Sequence, residues 1–277
     1  MPRFITRLIM ITVVTVATTW FIVAIQEHPT EQKGVISLEG LYLEPLEGSK
    51  DEVPKFSDYN NIEAKKRAFF SYLLPEIRRQ NRIVEKERAM VYLLQQELLD
   101  APSSPQPFTK KQQKVYEQLK KKYQLNKVDG DSIEDILNQM LVRIDTIPEQ
   151  LILVQAANES GWGTSRFAVD GYNFFGLWCF KTGCGFVPKQ RDDEAIHEVA
   201  KFRDLSHSVM TYIRNINRLD AYKELRQIRK QLRENHKTVT AKALSEGLMR
   251  YSERGQEYID ELQSMLRVNK KYMELPL

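Results

Sequence analysis

The chain has 277 residues, 42% of them hydrophobic, enough for a sizeable core in one large or two modest domains. Its 41 basic and 37 acidic residues leave a net charge of +4. That is too small to argue for a nucleic-acid partner, and no period of roughly 20–50 residues recurs, which excludes solenoids and propellers.

Segment 1–28, "MPRFITRLIMITVVTVATTWFIVAIQEH", places Arg3 and Arg7 ahead of an uncharged run from Leu8 to Ile25. As a helix this run would span about 27 Å at ~1.5 Å per residue, barely a bilayer's hydrocarbon core. The expectation is an uncleaved membrane anchor, with signal cleavage after "IVA" as the alternative. Basic residues before the run and Glu27 after it place the remainder outside the cytoplasm. Cys179 and Cys184, the only cysteines, flank "FKTG". They are either free thiols or a short-loop disulfide, and export favours the disulfide. Neither they nor His28, His197, His207 and His236 have metal-site spacing, and no phosphate loop or dinucleotide fingerprint is present. No metal and no cofactor are expected.

Residues 29–129 read as a linker and then a helical extension. Turn-formers and charges fill 26–60, and helical spacing begins near Ile62 and continues to Leu99, with Ala68, Tyr72, Ile77, Ile83, Met90, Leu93, Leu94 and Leu98. Pro75 is expected to kink or divide this stretch, giving an amphipathic hairpin packed on a partner. "APSSPQPF" breaks the pattern, and an amphipathic helix over Lys110–Tyr123 comes next.

Residues 130–277 carry the chemistry. Ser132 and Asp135 have capping-box spacing, Asp145 and Thr146 are expected to cap the next helix, and Gly161 is its natural stop. Glu159, in "NESGWG", therefore falls in the last turn. A helix's carbonyl end disfavours an anion, and water exclusion by Trp162, Phe167, Phe174, Phe175 and Trp178 would push the acid the same way. A carboxylic acid kept protonated near neutrality suits protonation of a glycosidic oxygen. The glycine-punctuated stretch after it reads as a loop and a small β-hairpin containing "EVAKF". Helices are expected again over "SHSVMTYIRNINRL", Leu225–Leu232, Val239–Leu248 and Glu257–Val268. A helical bulk with a small β lobe along a groove suits a long, flexible polymer.

"LVQAANESGWGTSRFA", "YNFFGLW", "KFRDLSHSVMTYIRNIN" and "RYSERGQEYIDEL" occur in that order, and together they resemble the bacterial glucosaminidase family of peptidoglycan hydrolases. That family includes the flagellar-rod muramidase and cell-wall autolysins, and "CFKTGCGFVPKQR" is most similar to its Bax-like subgroup. The resemblance covers about residues 130–270. It implies a mainly α, lysozyme-like α+β catalytic domain, preceded here by the membrane-anchor helix and helical extension. It also implies cleavage of the β-1,4 bond after N-acetylglucosamine in peptidoglycan strands; combined with the N-terminal run, the expectation is a bacterial inner-membrane protein with its catalytic domain in the periplasm. A secreted or periplasmic form after signal cleavage is the alternative.

The family's acid falls on Glu159, and its groove-floor block falls on Asn173, Phe174, Phe175 and Gly176. Its tyrosine falls on Tyr251, with a second at Tyr258, where a phenol could orient the acetamido group or the attacking water. Many members carry a second glutamate on the hairpin, but the matching stretch here, "PKQR", holds no acid. Glu198 is the best substitute, with Asp192, Asp193 and Glu194 read as a solvated tip. The substrate's 2-acetamido oxygen can also take the nucleophile's place. Trp162, Trp178, Tyr172 and Phe175 are candidates for stacking on sugars, with Trp162 equally suited to be a core wedge. A lytic transglycosylase and a catalytically silent glycan-binding or regulatory module are the competing functions.

Overall fold

The structure, a computed structural model, describes residues 52–100, 106–125, 132–188 and 197–273. The chain divides into units 1–40 and 41–277, and every described residue belongs to the second. The anchor expected over 1–28 lies outside the described residues. Among those described, no helix is long and apolar enough to cross a membrane.

The spine is α1 (Ile62–Asp100), one helix of 39 residues. The break expected at Pro75 is absent. Pro75 and Ser71, whose carbonyl the proline leaves without an N–H, both lie on the exposed side of the helix. Phe69, Phe70, Leu73, Leu74 and Ile77 are buried on the other side. At about 1.5–3 kcal/mol each, their burial outweighs the roughly 3 kcal/mol an interior proline costs.

The surface that buries α1 comes from this same chain. It packs against α3 (Ile133–Arg143), α4 (Glu149–Ser160), α6 (Leu205–Arg218) and α9 (Gln256–Met273), and α2 (Lys110–Lys122) folds back on it. The extension is thus a single helix sharing one core with these later helices, in place of the expected hairpin. Polar ties fix the register. Asn81 donates to the Ile147 carbonyl at 2.8 Å and accepts the Ile147 N–H at 3.2 Å. Buried Glu87 accepts from the Tyr123 hydroxyl at 2.5 Å and from Lys122.

Ser132 and Asp135 form the expected capping box at the start of α3. The cap expected from Asp145 and Thr146 does not form, because Pro148 takes the N-cap position without a side-chain bond. Asp145 turns instead to Arg233 at 2.8 Å and to Arg88 and Arg229, each at 3.7 Å. Burial pushes its carboxyl up, but the three guanidinium groups more than offset this and hold it below the usual range.

Helix α4 is buried nearly all round, with Leu151, Ile152, Leu153, Val154, Ala156 and Ala157 inaccessible to water. It ends where expected, at Gly161 in the left-handed conformation. The short helix α5 (Arg166–Gly171) comes after it. In place of a hairpin there is a three-stranded antiparallel sheet, ordered β1 (Trp178–Cys179), β3 (Glu198–Ala200), β2 (Gly185–Phe186). A Cβ on Gly185 would lie 2.0 Å from the Val199 carbonyl oxygen, so only glycine fits that pairing. Val209, Tyr212, Ile213 and Ile216 are buried on α6, as their spacing predicts. Helices α7 (Lys223–Glu234) and α8 (Ala241–Ser245) lead into α9.

Candidate active site

Glu159 projects from the last turn of α4, half-buried, where the chain must turn at Gly161. Gly176, with φ +62°, brings bare backbone to it, and a Cβ there would sit 3.6 Å from Glu159 Oε2. Burial pushes the carboxyl above the usual glutamate range. The nearby Tyr258 and Asn158 side chains favour its anion, while Glu261 opposes the anion and Arg254 favours it. Arg254 and Glu261 pair at 2.7 Å. The rise expected from burial is therefore present, tempered by the nearby side chains that favour the anion.

Tyrosines surround this acid. The Tyr212 hydroxyl donates to Gln155 Oε1, and Gln155 Nε2 donates to the Tyr258 hydroxyl at 3.0 Å. Tyr251 stacks on Tyr258 with centroids 5.2 Å apart and planes 10° apart, and donates its proton to the Phe175 carbonyl at 2.9 Å. That bond ties the turn carrying Gly176 to the helical body. Tyr222, in the turn Asp220–Tyr222, lies 6.1 Å from Tyr251. Burial and the Glu159 charge push its phenol up to about 12. Among the described residues its hydroxyl has no hydrogen-bond partner.

Several residues matched to the groove serve the fold. Asn173 is buried and donates to the Leu177 and Ala200 carbonyls at 2.8 and 2.9 Å while accepting the Leu177 N–H at 3.0 Å. Phe175 is buried and stacks on Tyr212 at 4.1 Å. Tyr172 takes the left-handed cap of α5, half-buried. Trp162, also left-handed at φ +60°, is half-buried and packs 5.7 and 5.4 Å from Phe69 and Phe70, with Lys66 over its ring. It is a wedge against α1. A Cβ on the next residue, Gly163, would lie 2.4 Å from the Phe56 ring. "GWG" thus docks the extension.

Trp178 is exposed at 56% and stacks on His197, centroids 4.4 Å apart and planes 10° apart, a rigid flat face open to solvent. Glu198 is buried, and its carboxylate oxygens accept the Gly183 and Gly185 N–H groups at 2.9 and 2.7 Å. It holds the loop closed by the Cys179–Cys184 disulfide, which is formed. Asp192, Asp193 and Glu194 lie outside the described residues.

Gln155, Tyr222, Arg254 and Glu261 escape the sequence reading. Gln155 was accessible in principle, since it precedes Glu159 by one helical turn on the same face. Tyr222, Arg254 and Glu261 reach the acid only through tertiary packing, which leaves no local signal.

A mainly helical domain with a small sheet and a half-buried acid at a helix end fits the lysozyme-like glycosidases. Residues 135–271 match the glucosaminidase profile, described as mannosyl-glycoprotein endo-beta-N-acetylglucosaminidase. The chain is 30% identical over 219 residues to Protein bax of Escherichia coli (strain K12), a match covering 79% of this chain and 75% of that protein. The chain belongs to the glucosaminidase family, in its Bax-like branch. No solved structure matches it.

Proposed function

We propose that this chain is a peptidoglycan hydrolase that cleaves the β-1,4 bond after N-acetylglucosamine, with Glu159 as general acid. The observation that carries this reading is the setting of Glu159. Its carboxyl is raised by burial, lies beside the bare backbone of exposed Gly176, and has the Tyr258 side chain near enough to favour the anion left after proton transfer. Glu198 has both oxygens committed to backbone amides, which weighs against its acting as a second catalytic acid. That supports attack on the anomeric carbon by the substrate's 2-acetamido oxygen, with Glu159 returning as base toward water. Tyr251 acts by holding the Gly176 turn. Tyr222, whose proton is uncommitted, is the phenol left to meet the sugar, and Trp178 offers the stacking face.

The N-terminal segment would tether this activity to the bacterial inner membrane with the catalytic part in the periplasm. The disulfide fits that oxidising compartment. The test is digestion of purified sacculi by wild type and Glu159→Gln, with soluble fragments weighed by mass spectrometry. Fragments with reducing N-acetylglucosamine ends, lost in the variant, are expected. Anhydro ends would convert the assignment to a lytic transglycosylase, which a lone acid also serves. Binding to sacculi without release would make the chain a silent glycan-binding module.

A further inference from the structure

We propose that Gln155 is a positioning residue for Glu159: by donating its amide N–H to the Tyr258 hydroxyl, it turns that phenol's own proton toward the carboxyl group. The proposal rests on the assignment of Glu159 as the acid and adds the device that orients its hydrogen-bond donor.

Gln155 is wholly buried, one turn before Glu159 on α4, between Tyr212 on α6 and Tyr258 on α9. A phenol carries one proton, and a carboxylate can only accept. Tyr212 donates to Gln155 Oε1, so the amide must present Nε2 to Tyr258, and it does so at 3.0 Å. The Tyr258 oxygen is then an acceptor toward Gln155, and its hydrogen is free for Glu159. Donation runs one way, from Tyr212 through Gln155 to the Tyr258 oxygen, which leaves the Tyr258 proton for the acid near it. The reverse order would set the Tyr258 lone pairs against the Glu159 anion. Stacking on Tyr251 fixes the ring of Tyr258, while Gln155 fixes the direction of its hydroxyl.

The direction matters when the proton leaves. Burial and the facing Glu261 both oppose the Glu159 anion, while Arg254 and Asn158 favour it. Tyr251 does not compete as a donor, because its proton lies on the Phe175 carbonyl. Tyr222 faces the acid from the turn before α7 and has no tie to Gln155. A donor already aimed at the carboxyl stabilises the charge as it forms and needs no rearrangement during the reaction.

The test tracks the Glu159 carboxyl by carbon-13 NMR across pH, a readout that needs no turnover. Wild type is compared with Gln155→Met, Tyr258→Phe and the double variant, each checked for a cooperative melt. Gln155→Met is expected to move the Glu159 titration to higher pH, and Tyr258→Phe to move it at least as far. Because Gln155 acts through the phenol, Gln155→Met should add nothing in the Tyr258→Phe background.

On sacculi, Gln155→Met should lower kcat about tenfold with KM unchanged. An unmoved titration in Gln155→Met, or an equal displacement with and without Tyr258, overturns the proposal. If Gln155→Met fails to fold, the same comparison made with the uncharged Gln155→Leu decides it. If wild type digests nothing while the titrations behave as described, the assignment of function fails and the relay stands.

Discussion

The last turn of α4 and the centre of the small sheet each hold a glutamate, and their surroundings treat the charge in opposite ways. Around Glu159 the ring faces and backbone withdraw water but leave the carboxyl open on one side. Around Glu198 each oxygen receives a backbone N–H, and the side chain is sealed behind the disulfide loop. One site makes an anion difficult to form, and the other is built to use one. Residue type and strand alternation make both plausible acids. What separates them is whether the donors belong to side chains that respond to a proton or to a backbone that cannot.

This contrast is open to attack from either side. The largest effect is expected for Glu159→Gln, a loss of turnover of about a thousandfold, the range of general acid catalysis. Its stability should move the other way. Between the ordinary glutamate range and the raised midpoint of Glu159, the folded chain holds a proton that the unfolded chain releases, so wild-type stability falls as pH rises through that window. Melting curves at several pH values should show Glu159→Gln escaping that fall. An identical pH dependence in both proteins would remove burial as the cause.

Gly163→Ala comes next, because its φ of +75° and the Phe56 ring both exclude a Cβ. About 3 kcal/mol of destabilisation is expected from denaturant melts. Glu198→Gln should cost about 2 kcal/mol, since an NH₂ group would then face a backbone N–H, yet the folded variant should keep most of its turnover. A thousandfold loss there, matching Glu159→Gln, would erase the distinction between the two glutamates. The smallest effect is expected for Trp178→Ala. Its exposed face contributes little to the core, so the melt should be unchanged while KM rises roughly fivefold, as for about 1 kcal/mol of lost stacking.

The parts of this site set by local rules were legible in the sequence. Gly161 stops α4, Ser132 caps α3, and both arise from the conformational needs of a few neighbouring residues. The fate of Trp162 was not legible. Its place between two glycines suits a groove or a core equally, and Phe69 and Phe70, about ninety positions earlier, make the choice. Pro75 misled for a related reason, because a local helix-breaker says nothing about the packing that overrides it. The residues supporting Glu159 divide in the same way. Gln155 is given by helical spacing, whereas Tyr222 and Glu261 arrive on elements whose approach no short pattern encodes.

The union of α1 with α9 bears on how the chain is made. The Lys66 ammonium donates to the Asn269 side chain at 2.8 Å, joining positions 203 residues apart. Synthesis proceeds from the N-terminus, so α1 emerges with Phe69, Phe70 and Leu73 uncovered, and α9 arrives near the end. A core closed by such distant partners folds slowly, and its apolar stripe stays open to other chains meanwhile.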